Sequence, residues 1–165
     1  MSGPGDLLHS RIIELLPKLR RFARSLARNP HDADDLLQGA LERALAHLEQ
    51  WQTDTRLDSW LYTIVKNAWI DELRSRARRE HTLSDSEQAD AVPDHRGDAS
   101  GTLAVDQAME CLPADQRLAV ALVLIEGLPY KEAAQIIGVP MGTLTSRLAR
   151  GRQALQQLLG PGDSA

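Results

Sequence analysis

A polar stretch in the middle of the chain restricts the folds that this sequence can adopt. Residues 81–102, HTLSDSEQADAVPDHRGDASGT, are rich in Ser, Asp, Ala and Gly and contain few apolar side chains. Such a segment cannot bury enough apolar surface to offset the entropy that it would lose on ordering, so we expect a flexible linker. The chain is therefore predicted to form two small lobes, at residues 1–80 and 103–165.

Both lobes show the apolar spacing of α-helices. Leucine and alanine dominate, aromatic residues make up only 4%, and runs of β-branched residues are scarce, which favours helices over sheets. Apolar residues recur at helical intervals over residues 7–26, 31–51 and 57–79. The second lobe has the same pattern, divided by Pro113, Pro129 and Pro140. The predicted fold class is all-α: two small helical domains joined by a flexible acidic linker.

The net charge of −4 is unevenly distributed. Residues 1–80 carry 13 Lys and Arg against 12 Asp and Glu, and residues 103–165 carry five against six. The linker carries one Arg against five acids. The negative charge thus lies in the linker and not on the lobes, so the total does not exclude a nucleic-acid partner.

Several classes of protein are excluded by simple features. A single cysteine, Cys111, excludes an internal disulfide and a cysteine-based metal cluster, and its apolar helical surroundings predict a buried thiol. No apolar run approaches the roughly 20 residues that span a bilayer, so no membrane insertion is expected. The N-terminus, MSGPGDLLHSR, lacks the pattern of a signal peptide, and we expect a cytoplasmic protein.

The segment YKEAAQIIGVPMGTLTSRLARGRQAL predicts a C-terminal helix-turn-helix. Ala134 allows close helix crossing, Gly138 can end the first helix in the left-handed conformation, and Pro140 suits the start of the second helix. One face of that second helix would be buried, through Leu144, Leu148 and Leu155. The opposite face presents hydroxyl groups and arginines suited to the major groove: Thr143, Thr145, Ser146, Arg147 and Arg150. The alternative is an ordinary helical hairpin with a solvated basic face.

The third helix carries a second candidate surface. Its core face comprises Leu57, Leu61, Ile64, Val65 and Ala68. Tyr62, Lys66 and Trp69 cluster elsewhere, with Asn67 at the margin and Arg74, Arg76, Arg78 and Arg79 further along. Exposed aromatic rings interleaved with cations suit single-stranded nucleic acid. Alternatively, Tyr62 and Trp69 contact another helix, and the arginines complement the helix C-terminus.

The second helix begins with an acidic surface formed by Asp32, Asp34, Asp35, Gln38 and Glu42. This surface is either a solvated first turn or a docking site for a basic partner. The five histidines are scattered and expected to be exposed, and none has ligand-like spacing to these carboxylates. We therefore expect no metal site, no cofactor and no catalytic residues.

Three segments, in this order, resemble bacterial sigma factors of the extracytoplasmic-function (ECF) type. DADDLLQGALERALAHLEQW is similar to their polymerase-binding segment, and RLDSWLYTIVKNAWIDELRSRARR to their promoter-melting segment. LPADQRLAVALVLIEGLPYKEAAQIIGVPMGTLTSRLARGRQAL is similar to their reader of the minus-thirty-five element. The resemblance covers residues 10–80 and 103–158. The stretch around Pro17, LLPKLRRFARSLARNP, is more similar to the general-stress-response branch.

The resemblance implies roles for individual residues. The surface that grips the clamp helices of core RNA polymerase matches Asp34, Asp35, Leu36 and Gln38, to which we add Glu42. Positions near the minus-ten element match Trp51, Asn67, Arg74 and Arg76, which we group with Tyr62, Lys66 and Trp69. Positions that read the minus-thirty-five element match Ser146, Arg147 and Arg150, beside Thr143 and Thr145. Two residues depart from the family pattern: Thr145 replaces a usual Lys or Arg, and Gly39 a usual Glu or Asp.

These features predict an alternative sigma factor that binds core RNA polymerase and directs promoter-specific initiation, without catalysis of its own. The resemblance also implies an anti-sigma factor that holds the protein inactive, and we expect a monomer when it is free. The competing hypothesis is a stand-alone helix-turn-helix transcriptional regulator, which would bind a palindromic site tightly without polymerase.

Overall fold

The computed structural model describes residues 3–82 and 100–160, and the regular secondary structure within these ranges is helical. The first lobe contains α1 (Pro4–Leu26), α2 (Pro30–Ala46), a 3-10 turn (Leu48–Gln50) and α3 (Leu57–Thr82). The second lobe contains α4 (Ser100–Cys111), α5 (Ala114–Val120), a π-helical turn (Ala121–Ile125), α6 (Tyr130–Ile137) and α7 (Met141–Leu158). The predicted all-α fold class is confirmed.

Local sequence signals fix the ends of the first-lobe helices. The Asn29 side chain caps α2 by accepting a hydrogen bond of 2.8 Å from the Asp32 backbone amide. Pro30 follows at the first helical position, where its missing N–H leaves no bond unmade. The core of this lobe packs Phe22 edge-on against Tyr62, with ring centroids 5.2 Å apart.

The predicted helix-turn-helix is formed by α6 and α7. Gly138 ends α6 with φ of 82°, and its amide donates to the Ala134 carbonyl at 2.8 Å. Pro140 immediately precedes α7. Leu144 and Leu148 of α7 are buried as expected.

The two lobes pack against each other, and their buried apolar residues form one continuous cluster. In the first lobe, α1 and α3 form the contact surface, and α4, α5, the π-helical turn and α6 form it in the second. The sequence predicted two separate lobes without specifying their arrangement. Their close association determines which residues of α3 are accessible.

One expectation about burial is wrong, and another falls partly outside the described residues. Cys111 is exposed, because it lies one position before Leu112, outside the face that Ala108, Met109 and Leu112 bury. Most of the predicted linker, at residues 83–99, lies outside the described residues, as does His95. The two ends of that linker are helical, since α3 continues to Thr82 and α4 begins at Ser100.

Close packing of α7 on α5 generates a stability prediction at Gly151. A Cβ atom at this position would lie 2.7 Å from Val120 Cγ2, so Gly151→Ala is expected to lower the free energy of unfolding by about 1–3 kcal/mol. Gly142 of the same helix has no atom within 4 Å of such a Cβ. Gly142→Ala should therefore raise stability by about 0.5 kcal/mol through helix propensity. Urea denaturation measures both changes in the free energy of unfolding. If both variants changed stability in the same direction, the packing argument would be contradicted.

Candidate nucleic-acid and protein interfaces

The acidic surface of α2 is accessible in this structure. Asp34, Asp35, Gln38 and Glu42 are exposed and Leu36 is half-buried beside them. The Asp35 carboxylate lies 3.4 Å from His31 Nε2, in a largely exposed pair that contributes little to stability. The carboxylates are thus free to meet a partner with positive charge.

Asp32 differs from these neighbours because it is tied to α3. Its carboxylate accepts a hydrogen bond of 2.9 Å from Arg76 Nη2, and Arg76 Nε also donates to Glu72 at 3.2 Å. Both partners are partly buried, so this pair helps to fix α2 against α3. Arg76, which was grouped with the minus-ten residues, is therefore occupied by an intramolecular ion pair here.

The expectation of exposed aromatic rings on α3 is wrong for this conformation. Tyr62, Lys66 and Trp69 fall on one stripe of the helix, and they are only 2%, 9% and 4% exposed. Phe22 of α1 packs on the Tyr62 ring and Arg117 of α5 lies over the Trp69 ring, in agreement with the alternative that Tyr62 and Trp69 contact another helix. Residues on the neighbouring face of α3, including Leu57, Leu61 and Val65, fill the core as predicted. Helix α3 is thus buried on two sides.

A glutamate from the second lobe holds one end of this stripe. The side chain of Glu126 is fully buried, and its carboxylate accepts hydrogen bonds from Tyr62 Oη at 2.7 Å and from Arg21 Nε at 2.6 Å. Glu126 raises the pKa of Arg21, while burial and the bond to Glu126 raise the pKa of Tyr62. Both groups therefore keep their protons, and Glu126 joins α1 and α3 to the second lobe.

Two further arginines cross the boundary between the lobes. Arg117 of α5 donates to the Leu26 carbonyl at 3.0 Å, and its guanidinium lies 5.7 Å from the centroid of the Trp69 ring. It also donates to the Glu110 and Leu112 carbonyls at 2.7 and 3.0 Å. Burial lowers the pKa of Arg117.

The second crossing arginine lies at the start of α3. Arg56 donates to Glu132 of α6 at 2.7 Å and to Asp58 at 2.8 Å. Asp58 and Glu132 raise the pKa of Arg56.

Lys66, in the middle of the buried stripe, has no such partner. No ion pair or hydrogen bond to its ammonium group occurs within the described ranges, although the residue is buried. Burial lowers the pKa of Lys66 below its ordinary value of 10.5, because the charged form loses solvation. Partial desolvation of a charge that has no anion beside it works against the packed state.

The remaining residues of the minus-ten group are spread over the first lobe. Asn67 and Arg74 are exposed on α3, as are Arg78 and Arg79. Trp51 is half-buried, with Arg11 stacked 5.8 Å from its ring centroid and its Nε1 without a hydrogen-bond partner among the described residues. The structure therefore does not bring the whole predicted group to one open surface.

The polar face of α7 remains open. Thr145, Ser146 and Arg150 are exposed, and Thr143 is half-buried. The Thr145 hydroxyl donates to the Met141 carbonyl at 2.8 Å, while Arg147 lies 3.6 Å from Asp115 in a partly exposed ion pair. Arg150 makes no ion pair within the part of the chain that the structure describes, so its charge is available.

Sequence reasoning missed the residues that join the lobes: Arg21, Arg56, Arg117, Glu126 and Glu132. One signal was available for Glu126, a lone acid closing the apolar run LAVALVLIEGL. Within the described ranges, no helix is long and apolar enough to cross a bilayer, and no group of three or more metal-ligating side chains occurs.

Comparison with known proteins identifies the family. Residues 12–79 match the family model of Sigma-70 region 2, and residues 102–155 match that of Sigma-70, region 4. The ECF RNA polymerase sigma factor EcfG of Rhodopseudomonas palustris (strain TIE-1) is 39% identical over 157 residues, covering 93% of this chain and 86% of the relative. The chain belongs to the ECF family of RNA polymerase sigma factors. Two sigma regions in one chain decide against a stand-alone helix-turn-helix regulator.

Further relatives agree with this assignment to the ECF sigma factors. SigM of Mycobacterium tuberculosis (strain H37Rv) is 38% identical over 143 residues, covering 87% of this chain and 72% of the relative. The sigma factor RpoE of Bartonella quintana, in co-crystal with the anti-sigma factor NepR, superposes with a TM-score of 0.77 at 33% identity. That alignment covers 94% of this chain and 97% of RpoE. CnrH in complex with the cytosolic domain of CnrY shares the fold, with a TM-score of 0.72 at 24% identity.

The unpaired lysine generates a prediction about stability. Lys66→Met keeps the apolar stem and removes a partly desolvated charge, so it should raise the free energy of unfolding of this sigma factor by about 1 kcal/mol at neutral pH. This gain should shrink as the pH rises toward 10.5, because the unfolded lysine then binds more protons than the folded one and wild-type stability increases.

Urea denaturation at neutral and at alkaline pH measures this difference. Lys131→Met, at an exposed lysine of α6, is the matched control and should change stability by less than about 0.5 kcal/mol. A clear loss of stability in Lys66→Met would show that the ammonium group has a favourable partner.

Proposed function

We propose that this sigma factor divides its work among three surfaces. The exposed carboxylates of α2 (Asp34, Asp35 and Glu42, with Leu36 and Gln38) dock on core RNA polymerase. The stripe on α3 (Tyr62, Lys66 and Trp69) and the flanking Trp51, Asn67, Arg74 and Arg76 bind the minus-ten element. The polar face of α7 (Thr143, Thr145, Ser146, Arg147 and Arg150) reads the minus-thirty-five element. The observation that carries this proposal is the order of the two sigma regions along one helical chain.

The proposed chemistry of the three surfaces differs. Carboxylates on α2 suit a basic protein partner, since like charge repels the DNA backbone. Aromatic rings and a lysine on α3 suit unstacked bases and phosphates. The free Arg150 at the open face of α7 suits a guanine edge or a phosphate in the major groove. Region 2 would span residues 1–80 and region 4 residues 103–165, with the linker between them.

The same proposal covers regulation and location. RpoE of Bartonella quintana forms a complex with an anti-sigma factor, and we extend such a partner to this chain, acting in the cytoplasm. Sigma factors are regulatory proteins, and we propose no catalytic activity for this one. Assignment to the general-stress-response branch stays a prediction.

The docking surface is tested by reversing one charge. Asp35→Arg should abolish run-off transcription with purified core polymerase and reduce polymerase binding at least about tenfold, since it places a cation against a basic partner. Asp35 is exposed, and its one ion pair among the described residues is with the exposed His31, so the fold should be unaffected. Asp54→Arg, an exposed loop position, is the matched control. Equal activity of Asp35→Arg and wild type would refute the docking surface.

Promoter reading is tested on α7. Arg150→Ala should weaken promoter-directed initiation by about 1–3 kcal/mol in binding, through loss of a bidentate or phosphate contact. If Arg150 reads a base, the loss should be confined to templates that carry the native minus-thirty-five sequence. Arg152→Ala removes an exposed arginine from a different face of the same helix and should have a smaller effect. Transcription from wild-type and mutated promoters distinguishes these outcomes, and unchanged initiation by Arg150→Ala would contradict the proposal.

A further inference from the structure

Three of the α3 residues that we assign to minus-ten DNA, Tyr62, Lys66 and Trp69, are covered in part by the protein's own second lobe. Tyr62, Lys66 and Trp69 are all at most 9% exposed. From the second lobe, α6 packs on α3, Glu126 hydrogen-bonds Tyr62, and Arg117 lies over the Trp69 ring. A strand of DNA cannot reach this stripe while the lobes remain packed. The structure described here is therefore closed with respect to that surface.

The residue that holds this closure most directly is Glu126. Its carboxylate is fully buried and accepts hydrogen bonds from Tyr62 and from Arg21, at 2.7 and 2.6 Å. Hydrogen bonds to a charged group are stronger than neutral ones, and these two connect the second lobe to both α3 and α1. The π-helical turn places this side chain, since the amide of Glu126 donates to the Ala121 carbonyl five residues earlier.

Lys66 shows that the closed packing is incomplete for the covered stripe. Glu126 supplies an anion to Tyr62 and Arg21, whereas the Lys66 ammonium group, on a residue only 9% exposed, has no anion beside it among the described residues. A phosphate group would supply that anion, which the covering lobe does not. The stripe is thus better matched to nucleic acid than to the lobe that covers it.

We propose that Glu126 is an intramolecular latch that keeps the minus-ten surface of α3 closed until core polymerase has bound. The carboxylates of α2 remain exposed in the closed form, so docking on polymerase needs no prior opening. DNA bases and phosphates then replace Glu126 and the other covering groups on α3. This order of assembly rests on the proposed function and adds to it a closed state of the free protein that Glu126 stabilises.

The first test measures the distance between the lobes in the free, full-length protein. Cys111 is the only cysteine and is exposed, so a spin label there pairs with a second label at Thr53→Cys in the first lobe. Glu126→Gln keeps the size of the side chain and removes its charge. It should add a population at longer distance in pulsed electron paramagnetic resonance. Glu49→Gln, an exposed glutamate of the first lobe, should leave the distances unchanged.

The second test measures binding of a labelled single-stranded DNA by the same variants without polymerase. Opening should increase the affinity of Glu126→Gln about tenfold, because the competent fraction rises. Arg21→Gln, which breaks the latch from the other side, should also lengthen the interlobe distance. The double variant should open no further than either single variant.

Two outcomes would overturn the latch. One is an interlobe distance in Glu126→Gln and Arg21→Gln identical to that of the wild type. The other is opening without any gain in DNA binding. Run-off transcription by the wild type reports the proposed function separately, so an active wild type with an unopened Glu126→Gln variant refutes the latch alone.

Discussion

Burial of α3 on two neighbouring faces is the constraint on which the arrangement of this sigma factor depends. One side completes the core of the first lobe through Leu57, Leu61 and Val65, and the other receives the second lobe. While the second lobe packs on α3, the aromatic stripe of this helix cannot be exposed to solvent. The position of the second lobe therefore decides whether α3 serves as core or as binding surface.

The contact between the lobes combines apolar burial with a few charge-assisted bonds. Glu126 and Glu132 each accept from an arginine of the first lobe, and Arg117 satisfies a carbonyl at the end of α1. When the lobes separate, the carboxylates regain solvation and the arginines regain solvation or find phosphate partners, so the loss of these bonds is partly compensated. An interface of this kind suits reversible association, whereas a purely apolar interface would expose a large hydrophobic surface when the lobes separate.

Local signals were sufficient to predict most of the fold. The spacing of Ala134, Gly138 and Pro140 predicted the helix-turn-helix, and the periodicity of α3 predicted its core face. The errors concern relations between distant segments. A helical wheel shows that Tyr62 and Trp69 share a stripe, but it does not show which neighbour covers them. Cys111 was misplaced by a single position on a helix whose buried face is narrow.

For the candidate surfaces too, local features were predictable from the sequence and contacts between distant segments were not. Exposure of the α2 carboxylates was predictable because acids in a first helical turn are usually solvated. The partner of Arg76 was not, since Asp32 lies 44 residues away in the chain. Glu126, Arg21 and Arg117 have no common motif, and their roles arise only when α1, α3 and α5 are assembled. The residues that a sequence pattern can identify are those whose environment is set within one or two helical turns.

Gly151 has a consequence for how α7 is presented to its surroundings. Because this residue has no side chain, the backbone of α7 approaches α5 closely, near Val120 and Gln116. The distance between α7 and α5 thus determines how far Ser146 and Arg150 project from the protein surface. A change in the size of a core residue on α5 would raise or lower the outer face without altering any residue on it. The reach of the recognition helix is in this sense a property of the protein interior.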